Sequence, residues 1–523
     1  MCFACGHVNC LVDREPGVVS STGLDTAAGF AAIWERTLNS PVRDDSAAVT
    51  TFADGISVDS GPLEQGVGGI PANSSTTARV NLNETFFSRL DTATDSDWIQ
   101  VDLVAGQTYE FRLFGYGNDT VGDTFLALKN AQGQTLASND DAFGAVGYNS
   151  IIDSYTATQS GTFYLDVSSR NGQLSDANRV GDYMLTAVVD NVAGPVLTAD
   201  EIAFQLTTNF LRAGLALNDG SALQQNIDPP VYNVGNARQI SFDDGALTAQ
   251  GRFLAANAME QWSDLTGINF VRNNSNGQIV FEDTDPNGSG TTAYVGNNYS
   301  GLGTDNPFIT SSLHVITTGW ENTFGTGLNS YTFETYIHEM GHALGLGHGG
   351  NYNGNATFGV DNWYLNDSLH ESVMSYMQAN NDEFSGPNTF VNASFRHVLT
   401  PMVADILAIE QLYGLSTTTR TGDTTYGYNS NTGNLALDSA VALNGAANNQ
   451  KVAFTVFDNG GYDTLDFSGY AGNQIIDMRQ EGHSSVLGGV LNVGIARGTV
   501  VEQAKGGSQD DGIIGNSSNN TII

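Results

Sequence analysis

Cysteine is almost absent. Cys2, Cys5 and Cys10 are the only three, all among the first ten residues, so no disulfide can staple the rest of the 523-residue chain. Positive charge is scarce too: Lys and Arg total 19 against 56 Asp and Glu, a formal net charge of −37. Phosphate-dominated recognition needs clustered cations, so nucleic acid and anionic bilayers are excluded as principal partners. No stretch approaches the run of about 20 apolar residues that a membrane-spanning helix needs. The start, MCFACGHVNCLVDREPG, lacks the basic and apolar regions of a secretory signal. That leaves a cytoplasmic protein or one exported by a route that reads another part of the chain. Charged residues make up only 14%, yet 61 glycines and a 40% hydrophobic share are too apolar for a disordered polyanion. The composition is that of a loop-rich, mostly β protein, and at roughly one domain per 150 residues it has three or four domains.

Residues 1–70 mix a short helical patch (26–38) with Ser/Thr/Asp/Gly-rich stretches and end in GPLEQGVGGIPANSS, the composition of a linker. From 71 to 192 apolar residues alternate with polar ones, as in Ile99, Val101, Leu103; Tyr109, Phe111, Leu113; Phe163, Leu165, Val167; and Tyr183, Leu185, Ala187. Period two between Gly/Asn/Asp turns predicts an antiparallel β-sandwich. In 197–415 helices and strands mix. Thr198 can cap a helix carrying Ile202, Leu206 and Phe210, and a second helix carries Leu254, Ala258, Trp262 and Leu265; ARQISF and GQIVFED read as strands. Beyond Thr417 helical periodicity vanishes and short β runs continue to Ile523, a third, all-β unit.

The chemistry concentrates in Ser330–His348, SYTFETYIHEMGHALGLGH, where Phe333, Tyr336, Ile337, Met340 and Leu344 fall on one helical face. His338 and His342 are one turn apart on the same side, where both imidazoles can bind one metal ion. Glu339 lies beside them as a base for a bound water. Gly345 and Gly347 end the helix and let the chain turn, bringing His348 round as a third nitrogen ligand. Three neutral imidazoles with one position left for water make a catalytic rather than a structural zinc site. His7, His314, His370, His397 and His483 look isolated in sequence.

The extended motif HEMGHALGLGH, followed by Ser372-Val-Met-Ser-Tyr376, resembles the metzincin zinc endopeptidases and, within them, the serralysin family. The helix PMVADILAIEQLYG (401–414) and the segments LSTTTRTGDTTYGYNSN, FTVFDNGGYDTLDFSGY and GIARGTVVEQAKGGSQDDGIIGN are similar to that family as well. The resemblance implies a multidomain α+β and all-β protein, with a metzincin catalytic domain over 197–415 and a parallel β-roll/β-sandwich over 416–523. It implies catalysis by Glu339 and Tyr376, with Met374 as an apolar floor under the zinc ligands. It further implies structural Ca²⁺ on the backbone carbonyls of Arg420 and Gly422 and on Thr424, Asp458, Gly460, Gly461, Asp463 and Glu502, whose oxygens suit a hard cation. The expected protein is a secreted monomer that cleaves protein or peptide substrates and leaves the cell through a type I secretion apparatus. The alternative is a calcium-stabilised extracellular surface or adhesion protein with a vestigial protease domain, which loss of a ligand or of the Glu would favour.

Several features depart from the pattern. The calcium-binding nonapeptide appears once, degraded, at Gly506–Ile514, with Gln509 in place of a Gly, and the next turn has Asn520 where Asp is expected. Either the chain stops short of the usual repeat array and export tail, or Asn-Asn-Thr-Ile-Ile serves as that tail. Residues 71–192 resemble the bacterial pre-peptidase C-terminal sandwich, an accessory module that more often follows the protease domain. Asn139-Asp140-Asp141 reads as a solvated turn or an ion site. Cys2, Cys5, His7 and Cys10 have the residue types of a zinc knuckle; the readings are a flexible thiol tail or a thiolate that reaches the catalytic zinc.

Overall fold

The computed structural model describes residues 69–523 except 83–84, 116–120, 141–148, 171–178, 190–195, 210–228, 286–287, 289, 301–307, 351, 353–355, 379–387, 389, 392, 396 and 446–450, together with two short paired strands at 49–51 and 57–59. The cysteines, His7, the helical patch at 26–38, Phe210 and Asp141 lie outside the described residues.

Eight antiparallel strands follow: β1 Thr85–Leu90, β2 Ser96–Leu103, β3 Thr108–Gly115, β4 Thr124–Lys129, β5 Thr135–Asn139, β6 Ser150–Thr156, β7 Gly161–Ser169 and β8 Gly181–Val189. They form two four-stranded sheets, β1-β8-β3-β6 and β2-β7-β4-β5. Every apolar residue used to predict these strands is buried in one shared core. Strand β3 differs from simple alternation, because Glu110 and Arg112 on its other face are buried as well. Helix α1, Ala199–Phe204, explains this. Its N-cap Thr198 and Glu201 form a reciprocal capping box. Arg112 Nη1 donates to Glu201 at 2.7 Å, and its Nε lies 3.0 Å from Glu110. Phe114 meets Phe204 edge-on, ring centres 6.0 Å apart. Beyond Phe204 the helix widens into a π turn, Gln205–Asn209.

The next region has a sheet of β9 Val231–Tyr232, β10 Gln239–Asp243, β11 Asn269–Arg272, β12 Ile279–Glu282 and β14 Phe308–Ile316, ordered β9-β14-β12-β10-β11 and parallel. Strand β13, Ala293–Ser300, runs antiparallel along β14. Thr248 caps α2, Ala249–Thr266, which ends at Gly267 with φ 67°. A short helix α3, Thr318–Phe324, precedes α4, Tyr331–Ala343, and α5 spans Val403–Tyr413. Trp262 on α2 is fully buried and donates its indole N–H to Ile337 O on α4 at 3.0 Å, which fixes the two helices face to face.

In the C-terminal region strands Thr425–Gly427, Thr464–Asp466, Gln503–Lys505 and Thr521–Ile522 stack in parallel. Val452–Val456 pairs likewise with Val493–Ile495, and Gln474–Asp477 with Asp511–Ile514. The first three layers of this stack are 39 residues apart, and carboxylates lace them together: Asp463 accepts from Thr424 N and Glu502 from Asp463 N, both at 2.8 Å. The expectation of no helix here is corrected by two single turns, α6 Leu435–Asp438 and α7 Ala440–Leu443. The Asn434 side chain caps the first by accepting from Ala436 N and Leu437 N, a local signal too short to show as periodicity. One hydrophobic core runs from Leu197 to Ala504 without a break at 415, and Phe114, Ile151 and Met184 of the sandwich join it.

Removing Arg112 leaves two buried carboxylates without a cation. Arg112→Ala is expected to lower the unfolding free energy by about 3–5 kcal/mol in urea titration. A loss under about 1 kcal/mol would show that the pair is solvated.

Candidate active site

Ser330 begins α4 by accepting from Phe333 N at 3.2 Å, and the helix turns its apolar stripe inward. His338 and His342 stand on consecutive turns with ring centres 4.7 Å apart. Each ring has its Nδ1 on a carbonyl: His338 on Val373 O at 2.7 Å, His342 on Leu346 O at 2.8 Å. A carbonyl only accepts, so Nδ1 carries the proton and Nε2 keeps its lone pair. After α4, Gly345 takes φ 105°, and a Cβ there would lie 2.6 Å from Pro230 O. Gly347 N then donates to Leu206 O at 2.6 Å. This sharp reversal brings His348 Nε2 to 2.9 Å from His342 Nε2, and the three side chains offer nitrogens within 4.8 Å of one another.

Burial decides their protonation. It lowers His338 to about 3, with His342 adding repulsion, and His342 to about 4; His348 falls well below the usual imidazole range. All three are neutral at pH 7, the form that ligates a metal. Burial pushes the Glu339 carboxyl up to about 8, and its Oε2 makes no hydrogen bond. Neutral imidazoles braced by carbonyls, beside a buried carboxylate oxygen with nothing to bind, fit a transition-metal dication.

Met374 is fully buried, and a Cβ on Gly341 would sit 2.5 Å from its sulfur. The glycine between His338 and His342 thus lets the methionine pack directly on the helix. The Tyr376 ring lies 4.5 Å from His348, 5.7 Å from His338 and 4.9 Å from Tyr352, on which it stacks. The structure therefore gathers His338, Glu339, His342, His348, Met374 and Tyr376 around one place.

Sequence reasoning missed the groups that hold this arrangement. Asp405, fully buried on α5, accepts from Ser372 Oγ at 2.6 Å and from Val373 N and Met402 N at 2.7 Å. Burial raises its carboxyl to about 6. Tyr352 donates to Asp367 at 3.1 Å and its hydroxyl accepts from Tyr376 N at 3.2 Å. One signal was available for Asp405: it is the third residue of a helix whose N-cap, Met402, has no capping oxygen.

The residues assigned to calcium also meet. Arg420 has φ 53°, Thr424 Oγ1 donates to Gly422 O at 2.9 Å, and Gly460 N donates to Asp458 at 2.9 Å. A Cβ on Gly461 would lie 2.5 Å from Gly422 O. Burial, together with Asp458 and Glu502, pushes Asp463 up to about 7, and its Oδ2 is buried without a hydrogen bond. Such mutually repelling oxygens fit a hard cation. Further along, Asp511 accepts from Gly507 N and Asn520 from Asn516 N, so Asn520 keeps the turn hydrogen bond and loses the charge. Two histidines that look isolated in sequence are not: the rings of His370 and His483 are 3.8 Å apart.

Residues 415–523 match the family model described as Peptidase M10 serralysin C terminal. The chain is 35% identical over 339 residues to "Metallopeptidase AprA" of Pseudomonas marginalis, covering 63% of this chain and 67% of that protein. It is 38% identical over 274 residues to "Metalloprotease AprA" of Pseudomonas entomophila, covering 51% of this chain and 53% of that one. The chain thus spans about two thirds of one relative's length and about half of the other's. Among solved structures, the pre-peptidase C-terminal domain of a Bacillus anthracis collagenase aligns at 17% identity and a TM-score of 0.16, covering 21% of this chain and 92% of that one, a likeness that carries no argument.

Asp405→Ala leaves Ser372, Val373 and Met402 donors unpaired and frees the carbonyl that orients His338. Zinc affinity is expected to fall about tenfold or more, measured by competition with a chromogenic chelator. Unchanged affinity would show that Val373 is held by packing alone.

Proposed function

Because the chain belongs to the serralysin family of metallopeptidases, we propose that it is an endopeptidase that hydrolyses peptide bonds in proteins, with zinc on His338, His342 and His348. The observation that carries this reading is the convergence of three neutral imidazoles beside a buried carboxyl group whose Oε2 makes no hydrogen bond. Zinc held there supplies Lewis acidity, which acidifies water and polarises a carbonyl. Glu339 is the general base: it takes the proton from the attacking water and passes it to the leaving amine. A neighbouring dication favours the ionised carboxylate and so opposes the burial that raises Glu339. The Tyr376 phenol, beside the His348 ring, stabilises the developing oxyanion. Met374 acts through packing, as the floor under α4.

The same reading makes 1–70 an N-terminal extension, 71–192 an accessory sandwich of the pre-peptidase C-terminal type, 197–415 a metzincin catalytic domain and 416–523 a calcium-binding β-roll. The parallel layering and the crowded acids at Asp458, Asp463 and Glu502 support the last assignment. Calcium would sit on the carbonyls of Arg420 and Gly422 and on Thr424, Asp458, Gly460, Gly461, Asp463 and Glu502. Among the described residues no helix is long and apolar enough to cross a membrane. Export of a monomer by a type I apparatus, with the C-terminal region as its address, completes the proposal. Secretion of a chain lacking 416–523 would overturn that route.

Glu339→Ala is expected to keep zinc and lose casein cleavage, because the ligands stay while the base is gone. Tyr376→Phe should lower kcat by a factor on the order of 10² with KM little changed. Wild-type turnover in Glu339→Ala would sink the mechanism.

Calcium is expected to raise the melting temperature followed by circular dichroism, and Asp458→Ala combined with Asp463→Ala to remove most of that rise. A melting curve indifferent to Ca²⁺ would defeat the calcium assignment.

A further inference from the structure

We propose that His370, Glu371 and His483 form a second site for a transition-metal dication of the zinc class, bridging the loop that leads to Met374 and the C-terminal region. The three side chains offer donor atoms within 4.8 Å of one another, the same limit that the first three histidines meet. His370 Nδ1 lies 3.1 Å from Glu371 Oε1, which makes it the protonated nitrogen. Its Nε2 is buried and makes no hydrogen bond. His483 repeats the pattern. The carbonyls of His370 and Glu481 lie by its ring and give its N–H an acceptor, while Nε2 is buried and makes no hydrogen bond.

A pair of buried basic nitrogens with no donor to meet them is costly unless something electrophilic takes their lone pairs. A shared proton does not explain both, since His370 Nε2 and His483 Nε2 each lack a hydrogen-bond partner and so do not bond to one another. A dication explains both, and Glu371 offsets its charge. The backbone makes room for this arrangement: Gly494 pairs across from His483, and a Cβ there would lie 3.3 Å from His483 Cδ2 and Nε2. The Glu371 side chain keeps 16% of its surface in solvent, while His370 and His483 are buried. Imidazole nitrogens select zinc-like metals over calcium, which takes six to eight oxygens, and Glu371, held on His370 Nδ1, supplies opposite charge to the site. The site is a structural one. It ties the segment carrying Ser372 and Val373, and with them the carbonyl that orients His338, to strand His483–Ser484.

The test uses the full chain with Cys2, Cys5 and Cys10 replaced by Ser, so that thiols bind no zinc. It is stripped of transition metals, returned to millimolar Ca²⁺ and dialysed against graded Zn²⁺, with bound zinc read by atomic emission. Two equivalents are expected for this parent and one for His483→Gln, His370→Gln or His348→Ala. His483→Gln and His370→Gln are also expected to retain casein cleavage. A single equivalent in the parent that His348→Ala removes would overturn the second site and leave the catalytic reading intact. Two equivalents that persist in both His483→Gln and His370→Gln would overturn it as well, and the parent count decides the matter even if those variants fail to fold.

Discussion

The imidazole cluster rests on a carboxylate that does not touch it. Asp405, at the start of α5, gathers Ser372 Oγ and the backbone N–H groups of Val373 and Met402. With its N–H held, Val373 presents its carbonyl to His338 Nδ1 at 2.7 Å. The next residue, Met374, then lies against Gly341, between His338 and His342. Three elements distant in sequence are locked by one buried acid: α4 with its histidines, the 372–376 turn and α5. Burial works against ionisation of Asp405, and its three donors favour the charged form.

The scarcity of cations gives the few arginines an outsized structural role. Neighbouring acids on α1 serve two regions: Glu201 takes Arg112 from the sandwich, and Asp200 takes both terminal nitrogens of Arg497 from the C-terminal region at 2.7 and 2.8 Å. Arg420 reaches from the same region to Asp264 on α2. In a chain with 19 cations and 56 acids, unpaired surface acids repel one another, while these pairs sit in low-dielectric seams where attraction is strongest. The seams fix the outer regions against the one that carries the histidines.

The acidic excess has a second consequence in the parallel stack. Asp463 and Glu502 accept backbone N–H groups from the preceding layer, so the stack needs carboxylates at regular intervals. The same regularity brings Asp458, Asp463 and Glu502 close enough to repel. Under the proposed calcium assignment a bound cation would relieve this repulsion.

The sequence by itself determined the parts whose signals are local. HExxH with its trailing Gly and His lies on one helix and one turn, so its geometry follows from helical periodicity and from the φ that only Gly345 tolerates easily. Period two placed Ile99, Val101 and Leu103 inside the sandwich for the same reason. The roles of Asp405, Arg112 and Arg497 stayed hidden, because a side chain that acts across long sequence separation leaves no periodic trace. Glu110 and Arg112 read as the wet face of a strand until α1 covers them. His370 and His483 look solitary until the C-terminal strands fold back onto the loop before Met374. Local conformational preference wrote the motif into the sequence; long-range packing alone decided what holds it in place, because burial and pairing energies depend on neighbours that only the folded chain brings together.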